Sequence, residues 1–350
     1  MIEFQQTPDS VCLFRLSAIG DVSHILPLIH RLKKYWPNTK ITWIIGKLEY
    51  HLVKSLTGVE FIVFDKSLGW KSYPDLLKKL RGRKFDVLLM MQAALRASIA
   101  SLLIKAPIRV GFDRSRAIDA QWLFSNRKIE GQSQCHVLEG FSQFLDLINV
   151  PRTEHCWDIP IAVENIRYAD ALIEKKPAII INPCSSARQN NWRNWNIKDY
   201  AAIGDHLVKH GYLVFLTGGP SASELEFCSG IQQAAQSSFT NLSGKTTLGQ
   251  LLALIKKSRL LIAPDTGPAH MATMVDTPVI GLYASSNPLR TGPYRSLEIA
   301  INRYPEALLQ YSQKTTEDAA WGERVRHPDV MNLIRLDEVI NKIDQVLKLI

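Results

Sequence analysis

Val11-Cys12-Leu13-Phe14-Arg15-Leu16-Ser17-Ala18-Ile19-Gly20-Asp21 reads as an apolar strand, a turn of small residues and a helix start that arrives on a carboxylate. A strand turning this sharply into a helix opens a βα unit, and in an open α/β sheet that turn faces the ligand crevice. The helix beginning near Asp21 sets Leu26, Ile29, His30 and Leu32 on its apolar face. It ends before Trp36-Pro37-Asn38, where proline disfavours continuation. Apolar runs at residues 41–45, 61–64, 87–91 and 108–111 each lead into a helical stretch or a turn. A second series starts after Pro177, with strand candidates at 178–181, 212–216, 260–263 and 279–283. Short β-rich runs alternating with longer amphipathic stretches predict an α/β protein with parallel sheets.

A chain of 350 residues exceeds what one compact core usually needs. Between the two strand series lie Val150-Pro151-Arg152-Thr153-Glu154-His155 and Ile159-Pro160, a polar, proline-bearing stretch that reads as a linker. The expected organisation is one α/β domain over residues 1–165 and a second over 166–328. Residues 329–350 follow as one or two closing amphipathic helices.

A composition of 46% hydrophobic and 21% charged residues excludes disorder and a collagen-like repeat. Five cysteines form no CxxC pair and no metal-ligand spacing, and their odd count does not suit a secreted disulfide framework. Residues 1–10 carry Glu3 and Asp9 and no basic leader, and even the apolar stretch 88–104 is interrupted by Gln92 and Arg96. The expectation is a cytoplasmic protein that touches a membrane without crossing it. The formal charge is +9, of which the first 164 residues hold +6. Seven basic residues and one acid, Asp75, fall within residues 66–84. That run is either a solvated helix face or a patch for an anion or a membrane surface.

Common catalytic motifs are missing. Ser243-Gly244-Lys245-Thr246-Thr247 looks like the tail of a P-loop, but Phe239 stands where the first glycine belongs. No GxGxxG follows a strand, and there is neither a GxSxG elbow nor an HExxH.

Four loops remain. In the first, Asp21 is either a catalytic carboxylate or an ordinary helix cap, which Asp commonly is. The second, Ala263-Pro264-Asp265-Thr266-Gly267-Pro268-Ala269-His270, follows a strand and opens a helix whose free N–H groups favour an anion such as a diphosphate. Capping by Asp265 or Thr266, with His270 packed in the core, is the plainer alternative. The third, Asn182-Pro183-Cys184-Ser185-Ser186 with Arg188, Trp192, Arg193 and Trp195, combines hydroxyls and arginines into a phosphate cradle; stacking of single-stranded nucleic acid is less favoured. In the fourth, Thr217-Gly218-Gly219-Pro220 with Glu224, the glycines permit close ligand approach and the carboxylate can accept sugar hydroxyls. A tight turn fits equally well.

In order, Ser-x-x-Gly-Asp, Ser-Ser…Arg-x-Trp, Gly-Gly-Pro-x-x-x-Glu and Asp-Thr-Gly-x-x-His resemble glycosyltransferase family 9, the ADP-heptose:lipopolysaccharide heptosyltransferases. The resemblance runs from Val11 to about Tyr294. The stretch Ser17 to Pro27, with His24 and Leu26-Pro27 after Gly20-Asp21, is closer to heptosyltransferase I than to heptosyltransferase II. It implies a GT-B fold, two Rossmann-like domains facing across a cleft, with the acceptor mainly on the first and ADP-heptose on the second. It further implies an inverting, metal-independent transfer of heptose to Kdo of Kdo-lipid A, with no cofactor. Transfer of a later heptose and a sugar-nucleotide epimerase on the same fold remain as alternatives, and a nucleic-acid-binding protein is the non-enzyme one.

Carried over by motif, Asp21 is the implied general base. Donor contacts fall on Ser185, Ser186, Arg193, Gly218, Gly219, Glu224, Asp265, Thr266, Gly267 and His270. Arg193 stands where the family usually has Lys, although another register puts Asn190 there. Acceptor contacts are expected from Ser17, Gly20 and His24, and from the basic residues Lys78, Lys79, Arg81, Arg83, Arg114 and Arg116. The expected partners are ADP-heptose, Kdo-lipid A and the cytoplasmic leaflet of the inner membrane, with no nucleic acid, and the protein is expected to be a monomer.

Overall fold

The structure, a computed structural model, describes residues 2–131, 134–174, 176–185 and 191–349. It divides into two compact units, Met1–Pro160 and Ile161–Ile350. The first holds six parallel strands: β1 (Ser10–Phe14), β2 (Lys40–Gly46), β3 (Glu60–Phe64), β4 (Val87–Met90), β5 (Ile108–Gly111) and β6 (Arg127–Lys128). Their order across the sheet is β3-β2-β1-β4-β5-β6. Val11 of β1 registers with Ile41 on one side and Val87 on the other. The second unit holds β7 (Ala178–Ile181), β8 (Leu213–Leu216), β9 (Thr240–Asn241), β10 (Leu260–Pro264), β11 (Val279–Tyr283) and β12 (Ile301–Asn302), in the order β12-β11-β10-β7-β8-β9.

Numbered within its own unit, each sheet reads 3-2-1-4-5-6, so the strand order reverses between the first and fourth strands. Ligands of doubly wound sheets bind outside the carboxyl ends of the strands at that reversal. The loops after β1 and β4, and those after β7 and β10, therefore occupy the positions where chemistry belongs.

The central strands are continuous apolar runs because helices cover both faces of a parallel sheet. Every residue of β4, β7, β10 and β11 is buried. The three strands absent from the sequence reading, β6, β9 and β12, are two-residue sheet edges, too short to show a periodicity. The first helix is also divided, into Ile19–Ser23 and Ile25–Tyr35, with His24 between them.

The boundary falls at Pro160/Ile161 rather than at 165/166. The proline-bearing stretch belongs to the first unit: Trp157 is buried and donates its indole N–H to the Ser23 carbonyl at 3.0 Å, and Arg31 donates to the Pro151 carbonyl at 2.8 Å. The helix Val163–Ile173 instead packs on Leu248–Lys257, with Lys257 paired to Asp170 at 2.8 Å. The last helix, Leu336–Leu349, sinks Val339, Ile343 and Val346 into the second unit's core and pairs Asp344 with His206 at 2.7 Å. It is an integral part of that unit.

The P-loop lookalike is a turn at Gly244, followed by Thr247, whose hydroxyl caps the helix Leu248–Lys257. No helix among the described residues is long and apolar enough to cross a membrane.

Candidate active site

In the first unit the turn after β1 presents Asp21 as the third residue of the helix Ile19–Ser23. Its carboxylate accepts the Ala18 N–H at 3.3 Å and is paired with the Arg15 guanidinium, which also donates to the Met91 carbonyl. Arg15 is nearly buried, with its guanidinium 5.1 Å from the Phe141 ring centre, whereas the Asp21 side chain keeps 32% of its surface exposed. Asp21 thus reaches back to cap the helix start while its side chain stays partly open to solvent. A carboxylate held this way is an oriented proton acceptor.

Residues from neighbouring strand ends hold the turn. Gln92, just beyond β4, accepts the N–H groups of Leu16 and Ser17 at 3.1 and 3.2 Å through its side-chain oxygen. Gln121 donates to the Gln92 carbonyl at 3.0 Å, and the Trp43 indole donates to the Arg15 carbonyl at 3.1 Å. Lys66 donates to the Leu16 carbonyl at 3.1 Å and lies 3.9 Å from the buried carboxylate of Glu49. Burial pushes the Glu49 carboxyl above its usual range, with Lys66 and Arg15 opposing the shift, and burial likewise lowers Lys66. Gly46 is required here, because a Cβ on it would stand 2.2 Å from the Leu16 carbonyl oxygen. Gln92, Gln121 and Glu49 went unread as site residues, and Lys66 was read only as part of the basic run; Gln92 and Lys66 stand just after an apolar run, whereas Gln121 lies in the connection after β5.

The acceptor-side residues divide into two groups. Ser17 lies in the turn itself and Gly20 in the helix start that follows, with the Gly20 carbonyl accepting the Ser23 hydroxyl at 2.5 Å. His24 is buried, edge-on to His136 at 5.3 Å, and so supports the turn from within the core. Arg114 is exposed on the loop after β5, and the guanidinium of Arg116 is engaged by Asp113, the Glu130 carbonyl and Gln143.

Lys78, Lys79, Arg81 and Arg83 belong to the helix Ser72–Lys79 and the turn after it. The helix Ser72–Lys79 runs back toward the amino ends of the strands, and Arg83 pairs at 2.6 Å with Glu60, the first residue of β3. Lys79 is held by Asp75 at 2.7 Å and the Val63 carbonyl at 2.8 Å. Arg83 therefore lies toward the amino end of β3, whereas Asp21 follows the carboxyl end of β1.

In the second unit the helix Gly267–Met274 starts directly after β10, with Thr266 at its N-cap making no side-chain cap. The Thr266 hydroxyl instead donates inward to the Cys184 carbonyl at 3.3 Å. Asp265 does not cap either. Its buried carboxylate accepts Ser286 Oγ at 3.0 Å and Arg193 at 3.3 Å, with Arg324 at 3.8 Å, while Arg193 also donates to the Asp265 carbonyl at 2.9 Å. The backbone amides of this helix start therefore keep their anion-binding capacity, with a guanidinium fixed beside them. His270 is buried within that helix.

Ser185 follows β7 and donates its hydroxyl to Asn191 at 2.8 Å, while its N–H is bound by Asn194 at 3.0 Å. Ser186, Arg188 and Asn190 lie outside the described residues. After β8, the Gly219 N–H donates to Glu224 at 2.6 Å, and Ser221 donates to the other carboxylate oxygen at 3.1 Å. Gly218 is in the same turn. Thr217 accepts from Asn182, which ties the ends of β7 and β8 together. Arg324 and Ser286 went unread as partners of Asp265, because they approach it from distant parts of the chain.

A sequence model of glycosyltransferase family 9 (heptosyltransferase) matches residues 74–319. The lipopolysaccharide core heptosyltransferase OpsX of Haemophilus influenzae is 39% identical over 344 residues, covering 98% of each chain. Among solved structures, a family 9 glycosyl transferase of Veillonella parvula superposes with a TM-score of 0.79 at 22% identity, covering 97% of each chain. Escherichia coli heptosyltransferase WaaC, solved with ADP, superposes at 0.73 and 16% identity, covering 96% of this chain and 99% of its own.

Proposed function

Because the chain belongs to glycosyltransferase family 9 and is a heptosyltransferase of the lipopolysaccharide core, we propose that it adds the first heptose, from ADP-L-glycero-D-manno-heptose to Kdo of Kdo-lipid A. The observation that carries the donor side is the uncapped start of the helix Gly267–Met274 with Arg193 anchored beside it on Asp265. That arrangement suits a diphosphate. The 39% identity to a core heptosyltransferase and the order of residues from Ser17 to Pro27 support the first-heptose step.

The reaction follows as a single displacement. The acceptor hydroxyl oxygen forms a bond to the anomeric carbon while the bond from that carbon to the diphosphate oxygen breaks, and the configuration inverts. Asp21 takes the hydroxyl proton. The electron pair leaves on ADP, where the amides from Gly267 onward, Arg193 and the Ser185 hydroxyl stabilise the growing charge, as preorganised donors do for other developing anions. Glu224, braced by Gly219 and Ser221, accepts hydroxyls of the ribose or sugar. Charge compensation by amides and guanidinium leaves no step that needs a metal ion. The acceptor meets Ser17 and Gly20, with Lys66 and Arg114 at the same edge of the first sheet. The enzyme works as a monomer at the cytoplasmic face of the inner membrane.

The test is ADP release with ADP-heptose as donor. Release that requires Kdo-lipid A and is absent with an acceptor already carrying the first heptose is expected. Turnover only on the heptosylated acceptor overturns the assigned step.

A further inference from the structure

The carboxyl edge of the first sheet carries large apolar side chains in water. Trp70 is 80% exposed, Ile118 62%, Leu95 52%, Trp122 45% and Leu68 44%. They come from three separate connections, after β3, after β4 and after β5, yet those connections are joined in a row. The Trp70 ring stacks on Tyr73 at 5.7 Å, and the Tyr73 hydroxyl donates to the Arg96 carbonyl at 3.4 Å. The Leu95 N–H donates to Asp119 at 3.0 Å, and the Arg114 guanidinium lies 5.4 Å from the Trp122 ring centre. Asp65 fixes the base of the first connection by accepting the N–H and hydroxyl of Ser67 at 3.0 and 2.6 Å. Exposed Lys71, Arg96 and Arg114 stand among the apolar residues.

We propose that this rim inserts into the interfacial layer of an anionic lipid bilayer, with Trp70 and Ile118 as its deepest anchors. Tryptophan beside lysine and arginine is the composition that interfacial membrane binding selects: the ring sits at headgroup level and the cations meet anionic lipid. The rim lies at the same edge as the turn bearing Asp21, so insertion would bring that turn to the headgroup layer where a lipid-borne acceptor presents its sugar. The inference rests on the heptosyltransferase reading above and adds the surface by which the enzyme reaches its acceptor. It also differs from a purely electrostatic patch at residues 78–83, of which Arg83 lies toward the other edge.

The test uses the full chain and sedimented vesicles containing neither donor nor acceptor, so its outcome is independent of the proposed reaction. Binding to phosphatidylcholine vesicles containing phosphatidylglycerol is expected, with at least tenfold weaker binding when phosphatidylglycerol is omitted. Trp70→Ser combined with Ile118→Ser should reduce binding to the anionic vesicles about tenfold or more, whereas Lys78→Glu with Arg81→Glu should change it less than about threefold. Both anchor positions are exposed, and a thermal melt verifies that the double variant is folded. In the wild type, brominated lipid should quench tryptophan emission, and Trp70→Phe should remove a large part of that quenching while retaining binding. Three results overturn the proposal: no binding of wild type to anionic vesicles, equal binding by the Trp70/Ile118 variant, or a dimer in solution that the same variant dissociates while vesicle binding is absent.

Discussion

Replacing Asp21 by Asn removes a proton acceptor while keeping nearly the same shape. The amide oxygen can still accept the Ala18 N–H, and Arg15 keeps its bond to the Met91 carbonyl. What disappears is the charge opposite a guanidinium that is only 10% exposed. A charge-assisted bond contributes about 1.5–3 kcal/mol, and with Asp21 itself 32% exposed the lower end applies, about 1–2 kcal/mol of stability. For a domain of this size that lowers the melting temperature by about 2–8 °C. Loss of a positioned general base costs about 10²–10⁴ in rate, or about 2.7–5.4 kcal/mol of transition-state stabilisation. The kinetic effect therefore exceeds the structural one. In an ADP-release assay at saturating donor and acceptor, kcat should fall by about two to four orders of magnitude. KM for the donor should stay within about twofold, since the donor residues assigned here all belong to the second unit. A fall in kcat of less than tenfold, with the protein still folded, would refute the assignment of Asp21 as base.

Three further outcomes follow from the same geometry. Gly219→Ala would place a Cβ 2.9 Å from both oxygens of Glu224; that carboxylate must swing away and lose its bond to the Gly219 N–H, so donor KM should rise about tenfold with stability changed by less than about 1 kcal/mol. An unchanged KM would remove Glu224 from the donor contacts. Arg193→Ala should weaken ADP binding in calorimetry by about 10–100-fold, the worth of one charge-assisted bond, and Arg193→Lys should recover part of it; ADP affinity equal to wild type would dismiss the diphosphate role. The carboxyl of Glu49 is raised mainly by burial, so the contribution of Glu49 to stability is greatest below pH 4.5 and declines as pH rises through the raised value. Glu49→Gln lacks that decline, so urea melts should show the variant gaining on wild type between pH 4 and pH 7. A stability difference that is the same at both pH values would contradict the burial argument.

Much of the fold is legible in the sequence because a parallel strand covered on both faces has to be a short, nearly unbroken apolar run, as at Ala178–Ile181 and Val279–Tyr283. The turns of the candidate site are legible for a related reason: Asp21, Gly219 and Asp265 each stand one to several residues beyond such a run. Edge strands of two residues, such as Arg127–Lys128, leave no periodic trace, and the unit boundary was displaced because Trp157 docks into the first core from within a stretch that reads as a linker.

What the sequence by itself determined is the local order: two successive βα series, the loops at their strand ends and the family those loops spell out. Which side chains share a site is a matter of long-range geometry, and only the tertiary structure decided it. Gln92 and Lys66 reach the turn of Asp21 from other strands, Ser286 and Arg324 converge on Asp265, and Arg83 turns away to pair with Glu60. A run of positive charge is visible in one dimension, but the edge of the sheet it decorates depends on the direction in which its helix runs. Here Arg83 ends against Glu60 at the amino end of β3, while Trp70 stays on the connection that leaves the carboxyl end of that strand.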